Sequence, residues 1–245
     1  MPGRLWISTT TYGKSYLAAA WKARGELKDY ERRGFGQFVY LTLCAHLESV
    51  LAMLLRRRFH SIKFMFKWES LPPIDYKVNE KTHSCDLKPV TDSLLGIIAR
   101  LADETHNAPL NKLTESYNVV FASPLREVVG KDLHEDLLAL TSLRNLFAHG
   151  RELFLEFDDP MIGQASLDAN PIQKPALRLH AAGIIGDLNI TGENHDQFHA
   201  TFYSDAAILY FYHAVEKIED RLLASMTFMP ETNMFQVTKL PKLDS

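Results

Sequence analysis

One stretch dominates what this chain can become. From residue 29 to about 59, Phe38, Leu41, Leu43, Leu47, Leu51, Leu54 and Leu55 recur at spacings of three and four, with no proline among them. That period puts them on one stripe of an α-helix, and a helix this long needs neighbours along its whole length to cover the stripe. A helical bundle meets that need. The most apolar part, 37–55, approaches bilayer-spanning length but holds Gln37, His46 and Glu48, and a charged group near a bilayer centre costs about 2.5–3.5 kcal/mol. The expectation is a buried helix of a soluble, cytoplasmic protein with no membrane partner.

The same period marks further helices. They fit 89–106, capped by Thr91 or Asp92; 110–121, ending before Pro124; and 131–149, where Leu133, Leu137, Leu140 and Leu143 form one stripe and Gly150 follows as a left-handed cap. A strong helical stretch covers 204–226, with Ala207, Leu209, Tyr210, Ala214, Ile218 and Leu222 on its apolar side, and a short helix fits 15–23. Between 61 and 87 the period is lost around Pro72-Pro73, which predicts a long loop. Polar and apolar residues alternate at 152–157, a strand ended by Asp158-Asp159-Pro160, and 176–190 and 235–240 read as further short strands. The expected fold is therefore mainly α, a bundle with a small β-strand appendage in the C-terminal half. It divides into an N-terminal extension (1–28), a bundle core (29–150), and short strands plus a long helix on the same domain (151–245).

Charge and cysteine usage narrow the function classes. With 27 Lys and Arg against 30 Asp and Glu, the formal net charge is −3, so binding of nucleic acid through bulk charge is excluded and any such contact needs a local patch. DNA is not an expected partner. Cys44 and Cys85 are too few for a disulfide framework and suit a reducing compartment. The opening residues, Met1 to Trp6, lack the apolar run of a secretory signal.

The segment that carries chemistry is Leu143-Arg144-Asn145-Leu146-Phe147-Ala148-His149-Gly150, at the end of the 131–149 helix. A chain with this many Arg and His contains about 0.5 chance Arg-x-x-x-x-His pairs, and requiring Asn after the Arg lowers this to about 0.02. The segment resembles the Arg-Asn-x-x-x-His signature of the HEPN superfamily (higher eukaryotes and prokaryotes nucleotide-binding), whose members are helical bundles and often RNA-cleaving toxins or defence effectors. The resemblance spans roughly 29–150.

At about 100° per residue Asn145 and His149 share one helix ridge, and Arg144 starts roughly 140° from His149, a gap its long side chain can bridge. An imidazole with an ordinary pKa of about 6.5 can take a proton from a ribose 2′-hydroxyl, and a guanidinium can hold charge developing on the phosphorane. The resemblance implies a metal-independent endoribonuclease that leaves a 2′,3′-cyclic phosphate, with Arg144 stabilising charge, His149 as acid or base, and Asn145 orienting one of them. It also implies a homodimer in which two such motifs share a cleft, and a toxin or defence effector restrained by an inhibitory protein partner. No cofactor or metal is expected. The competing reading of Arg144 and His149 is that of cations favoured at a helix C-terminus. The competing function is a catalytically inactive HEPN-like module that binds proteins or nucleotides.

Two further features bear on RNA. Between Glu48 and Glu69 no acidic residue occurs, while Arg56, Arg57, Arg58, His60, Lys63 and Lys67 interleave with Phe59, Phe64, Phe66 and Trp68. Cations for phosphates beside aromatics for bases suit single-stranded RNA, although the aromatics also suit a core and the cations a helix end. Glu48 lies mid-helix among apolar neighbours, placed either to hold Arg144 by a charge-assisted bond or on a solvated face. His46, two residues away on another face, reads as a core histidine. His195 and His199 have His-x-x-x-His spacing, with Asp196 where a zincin has Glu and no third ligand in view, His83 and Cys85 are a lone pair of soft ligands, and Gly183 and Gly186 lack the Lys and Ser or Thr of a phosphate loop. His213 and Glu216 share a helix face without the paired Glu-x-x-His segments of a di-iron bundle.

Overall fold

The first described elements are α1 (Thr10–Ala23), a single 3-10 turn, and α2 (Asp29–Trp68), the helix announced by the apolar stripe. The computed structural model describes residues 10–68, 74–78, 81–85, 88–105, 108–121, 123–149, 164–168 and 170–225. Among these the protein is mainly helical, with nine α-helices and two small antiparallel sheets. Within α2, Tyr30–Ile62 is long and apolar enough to cross a membrane, and 56% of its most apolar window is buried inside the protein, as in a core helix.

The chain forms two compact units, Met1–Ser49 with Leu125–Ser245, and Val50–Pro124. These follow different lines from the segments 1–28, 29–150 and 151–245 drawn from the sequence. In the first unit α2 supplies the buried Val39, Tyr40, Leu43, Cys44 and Leu47, and α1 supplies Leu17 and Trp21. After the short α5 (Leu125–Val129) comes α6 (Lys131–Ala148), which buries Leu133, Leu137, Leu140, Leu143 and Leu146 on one face. Helix α7 (Gln173–Ala181) packs on α6, and α9 (Asp205–Ala224) packs on both α5 and α6. Strands β3 (Gln164–Ala165) and β4 (Ile190–Thr191) pair antiparallel, and α8 (His195–Thr201) leads into α9, whose N-cap Ser204 accepts a hydrogen bond from the Ala207 backbone N–H. In the second unit β1 (Ile74–Val78) and β2 (Lys81–Cys85) form a hairpin in register from Ile74↔Cys85 to Val78↔Lys81, followed by α3 (Lys88–Glu104) and α4 (Leu110–Val120). Its buried residues include Leu51, Leu54, Leu55, Phe59, Leu110, Leu113 and Tyr117.

Several expectations need correction. The long loop at 61–87 is instead the last turns of α2 and a hairpin. Nothing between 60 and 68 breaks a helix, and Ile74, Tyr76 and Val78 alternate with Asp75 and Lys77, the period of a strand. Helix α3 starts at Lys88, so Thr91 and Asp92 lie inside its first turns rather than at its cap. The strand expected over 176–190 is mostly α7 and turns: Pro175, Ala176 and Leu179 are buried at spacings of one and three, a helical stripe. On α9 Ala207, Ala214, Ile218 and Leu222 are buried as expected, together with Ile208, Phe211, Tyr212 and Val215, while Leu209 and Tyr210 are half-buried, so the buried face is wider than expected and leaves those two at its edge. Gly150 and the strands expected at 152–157 and 235–240 lie outside the described residues.

Candidate functional site

Burial of the leucine stripe decides how α6 presents the motif. With Leu143 and Leu146 inside, Arg144 is half-buried at the edge of the helix, and Asn145 and His149 face solvent. The helix ends at Ala148, so His149 is its C-cap residue, with φ −97° and ψ 4°. Its imidazole has no hydrogen bond or ion pair to another described residue. A ring exposed at a helix end is accessible to a ligand, and its neutral form can accept a proton.

Glu48 of α2 and Arg144 of α6 are brought together. Arg144 Nη2 lies 3.7 Å from Glu48 Oε1, an ion pair longer than a hydrogen bond, with the two side chains 30% and 23% exposed. On its other side Arg144 Nη1 donates to Asn145 Oδ1 at 3.2 Å. The guanidinium thus lies between a carboxylate on one helix and an amide on its own, with part of the fork in solvent. One turn before Glu48, the buried Cys44 thiol points at Leu140 O, 3.7 Å away. Burial pushes that thiol's pKa up, the Glu48 carboxylate pushes it further, and Arg144 only partly opposes them. Cys44 therefore stays protonated and is no nucleophile.

An aromatic layer backs the motif. Phe147 stacks on Tyr40 of α2 with ring centroids 5.8 Å apart, and meets Tyr203 at the same separation on a tilted plane. Tyr40 donates to the Phe202 carbonyl at 2.5 Å, and burial drives its phenol pKa upward, which keeps it a donor. Sequence reasoning missed Tyr203 and Arg33 and weighed His199 only as half of a metal pair; Tyr203 lies in a turn and Arg33 near the start of α2, and nothing local in the string joins them. It also missed Glu219 of α9, which meets His46 at 3.0 Å where both side chains are 3% exposed.

The basic stretch lies on α2. Arg56, Arg57 and Arg58 are half-buried, and burial lowers the Arg57 pKa without neutralising it. Phe59 is buried and belongs to the core, so it is not free to stack on a base. Lys63 and Lys67 are on the same helix, with side chains outside the described set. Among the described residues no group of three or more His, Cys, Asp and Glu side chains is placed to hold a metal ion. No family model, no curated protein and no solved structure matches this chain.

Proposed function

We propose that the protein is a HEPN-type, metal-independent endoribonuclease, cytoplasmic and homodimeric, serving as a toxin or defence effector. The observation that supports it best is the guanidinium of Arg144 beside Glu48 and Asn145, five residues before the exposed imidazole of His149. In this reading one His149 accepts the proton of a ribose 2′-hydroxyl. The 2′-oxygen forms a bond to the adjacent phosphorus, and the bond from phosphorus to the 5′-oxygen breaks. A second imidazole, from the facing motif of the dimer, gives the leaving oxygen its proton, and Arg144 carries the extra negative charge of the phosphorane. The products are a 2′,3′-cyclic phosphate and a 5′-hydroxyl. Arg56, Arg57, Arg58, Lys63 and Lys67 contribute phosphate contacts to the RNA.

The test is cleavage of single-stranded RNA by purified protein in excess chelator. Wild-type protein should produce cyclic-phosphate ends, and Arg144→Ala and His149→Ala should each lose at least about a hundredfold in rate while keeping their helical circular dichroism. Full activity in both variants would remove the reading. Expression of the wild type, and not of the variants, should arrest growth.

A further inference from the structure

Behind the motif lies a group of side chains whose surroundings suit a ligand better than a core. Tyr203, in the turn between α8 and α9, is half-buried, as are His199 and Phe147, while Arg33 is exposed. Tyr203 is held in place from three directions. Its ring meets Phe147, two residues before His149, at 5.8 Å. Its neighbour Phe202 is tied to α2 by the Tyr40 hydroxyl. It also lies so close to Gly36 that a Cβ there would be 2.9 Å from Tyr203 Cδ1, so the ring occupies space on α2 that only glycine leaves.

The polar edge of this ring faces donors and a cation. The Gln37 side chain lies near enough to the Tyr203 hydroxyl to favour its ionised form, and His199 Nε2 is 3.5 Å from that hydroxyl, with the two rings near perpendicular. Arg33 lies one turn before Gln37 on the same ridge of α2. Burial lowers the His199 pKa, and the Arg33 guanidinium lowers it further, so the imidazole favours its neutral form with an exposed cation nearby. A core contact needs neither the cation nor a half-open ring. Stacking of a base on an aromatic face, edge hydrogen bonds and a phosphate on a guanidinium need all of them.

We infer that Tyr203, His199 and Arg33 form a nucleotide-binding subsite for single-stranded RNA, in which the base flanking the scissile linkage stacks on Tyr203 and its phosphate meets Arg33. The inference rests on the endoribonuclease reading of the neighbouring motif and names where its substrate lies.

A short 2′-O-methyl RNA carrying 2-aminopurine tests it, because this probe has no free 2′-hydroxyl and reports binding without cleavage. Wild-type protein should bind it and quench the fluorophore by stacking. Tyr203→Leu, which keeps an apolar contact to Phe147, should weaken binding about tenfold and abolish the quench. Arg33→Gln, at an exposed position that leaves the fold intact, should weaken binding and flatten its salt dependence by about 0.7 in log–log slope. Unchanged affinity and quench in both variants would overturn the subsite, and RNA cleavage by the same preparations would show that the nuclease reading survives. Tyr203-dependent binding with no cleavage of ordinary RNA would overturn the nuclease and leave the subsite standing. Failure of wild-type protein to bind the probe overturns the subsite outright.

Discussion

His46 and Glu48 show how two residues of separation on one helix lead to different physics. About 200° of rotation sends His46 inward to Glu219 and leaves Glu48 at the rim beside Arg144. Breaking the inner pair strands a polar group in a place without water, and breaking the outer one returns two part-exposed groups to solvent. Glu219→Leu should therefore cost about 1–3 kcal/mol of unfolding free energy, whereas Glu48→Gln should change stability by under about 1 kcal/mol while lowering RNA cleavage. Urea titration of the two variants separates them, and equal losses would contradict the assignment of burial. The motif itself was legible because Arg144, Asn145 and His149 are close in sequence. Glu219 was not, since a lone Glu on an amphipathic helix reads as exposed until the helix facing it is known.

Among the elements, the junction between α5 and α6 depends most on a single backbone conformation. Gly130 has φ +83° and ψ 155°, a region effectively closed to side chains, and a Cβ there would lie 2.5 Å from the Arg221 guanidinium. That guanidinium donates to the Val129 carbonyl, tying α9 to the end of α5. Gly130→Ala should destabilise the protein by about 1–3 kcal/mol, read as a lower urea midpoint with an unchanged slope; a neutral effect would mean the turn relaxes freely. Helices α2, α4, α6 and α9 were readable to within a few residues, α2 excepted at its far end, because their stripes repeat over several turns. Helix α7 was misread as strand because it is too short for period alone to separate the two, and the hairpin was read as loop because each of its strands is only five residues long beside Pro72-Pro73 and a polar stretch.

Among the described residues, two histidines carry a lowered pKa and link stability to pH. Burial lowers the pKa of His134 and of His199 below the ordinary value of 6.5. The unfolded chain then binds more protons than the folded one just below that value, so stability rises with pH through this window and is lost on acidification. Thermal midpoints should fall as pH drops below about 6.5, and the double substitution His134→Gln with His199→Gln should flatten that fall. A slope that persists in the double variant would place the linked protons elsewhere.

Read as a string, the chain determined that long helices would form, because a repeat of three and four residues is a local property that each helix carries alone. It also determined the Arg-Asn-x-x-x-His cluster, since one helical turn brings those side chains to the same end whatever surrounds them. Only the tertiary structure decided which carboxylate steadies Arg144, that Phe59 is core, and that Tyr203 reaches the motif through the gap at Gly36. Those outcomes depend on how separate helices rotate and approach one another, and packing of whole faces sets that rotation.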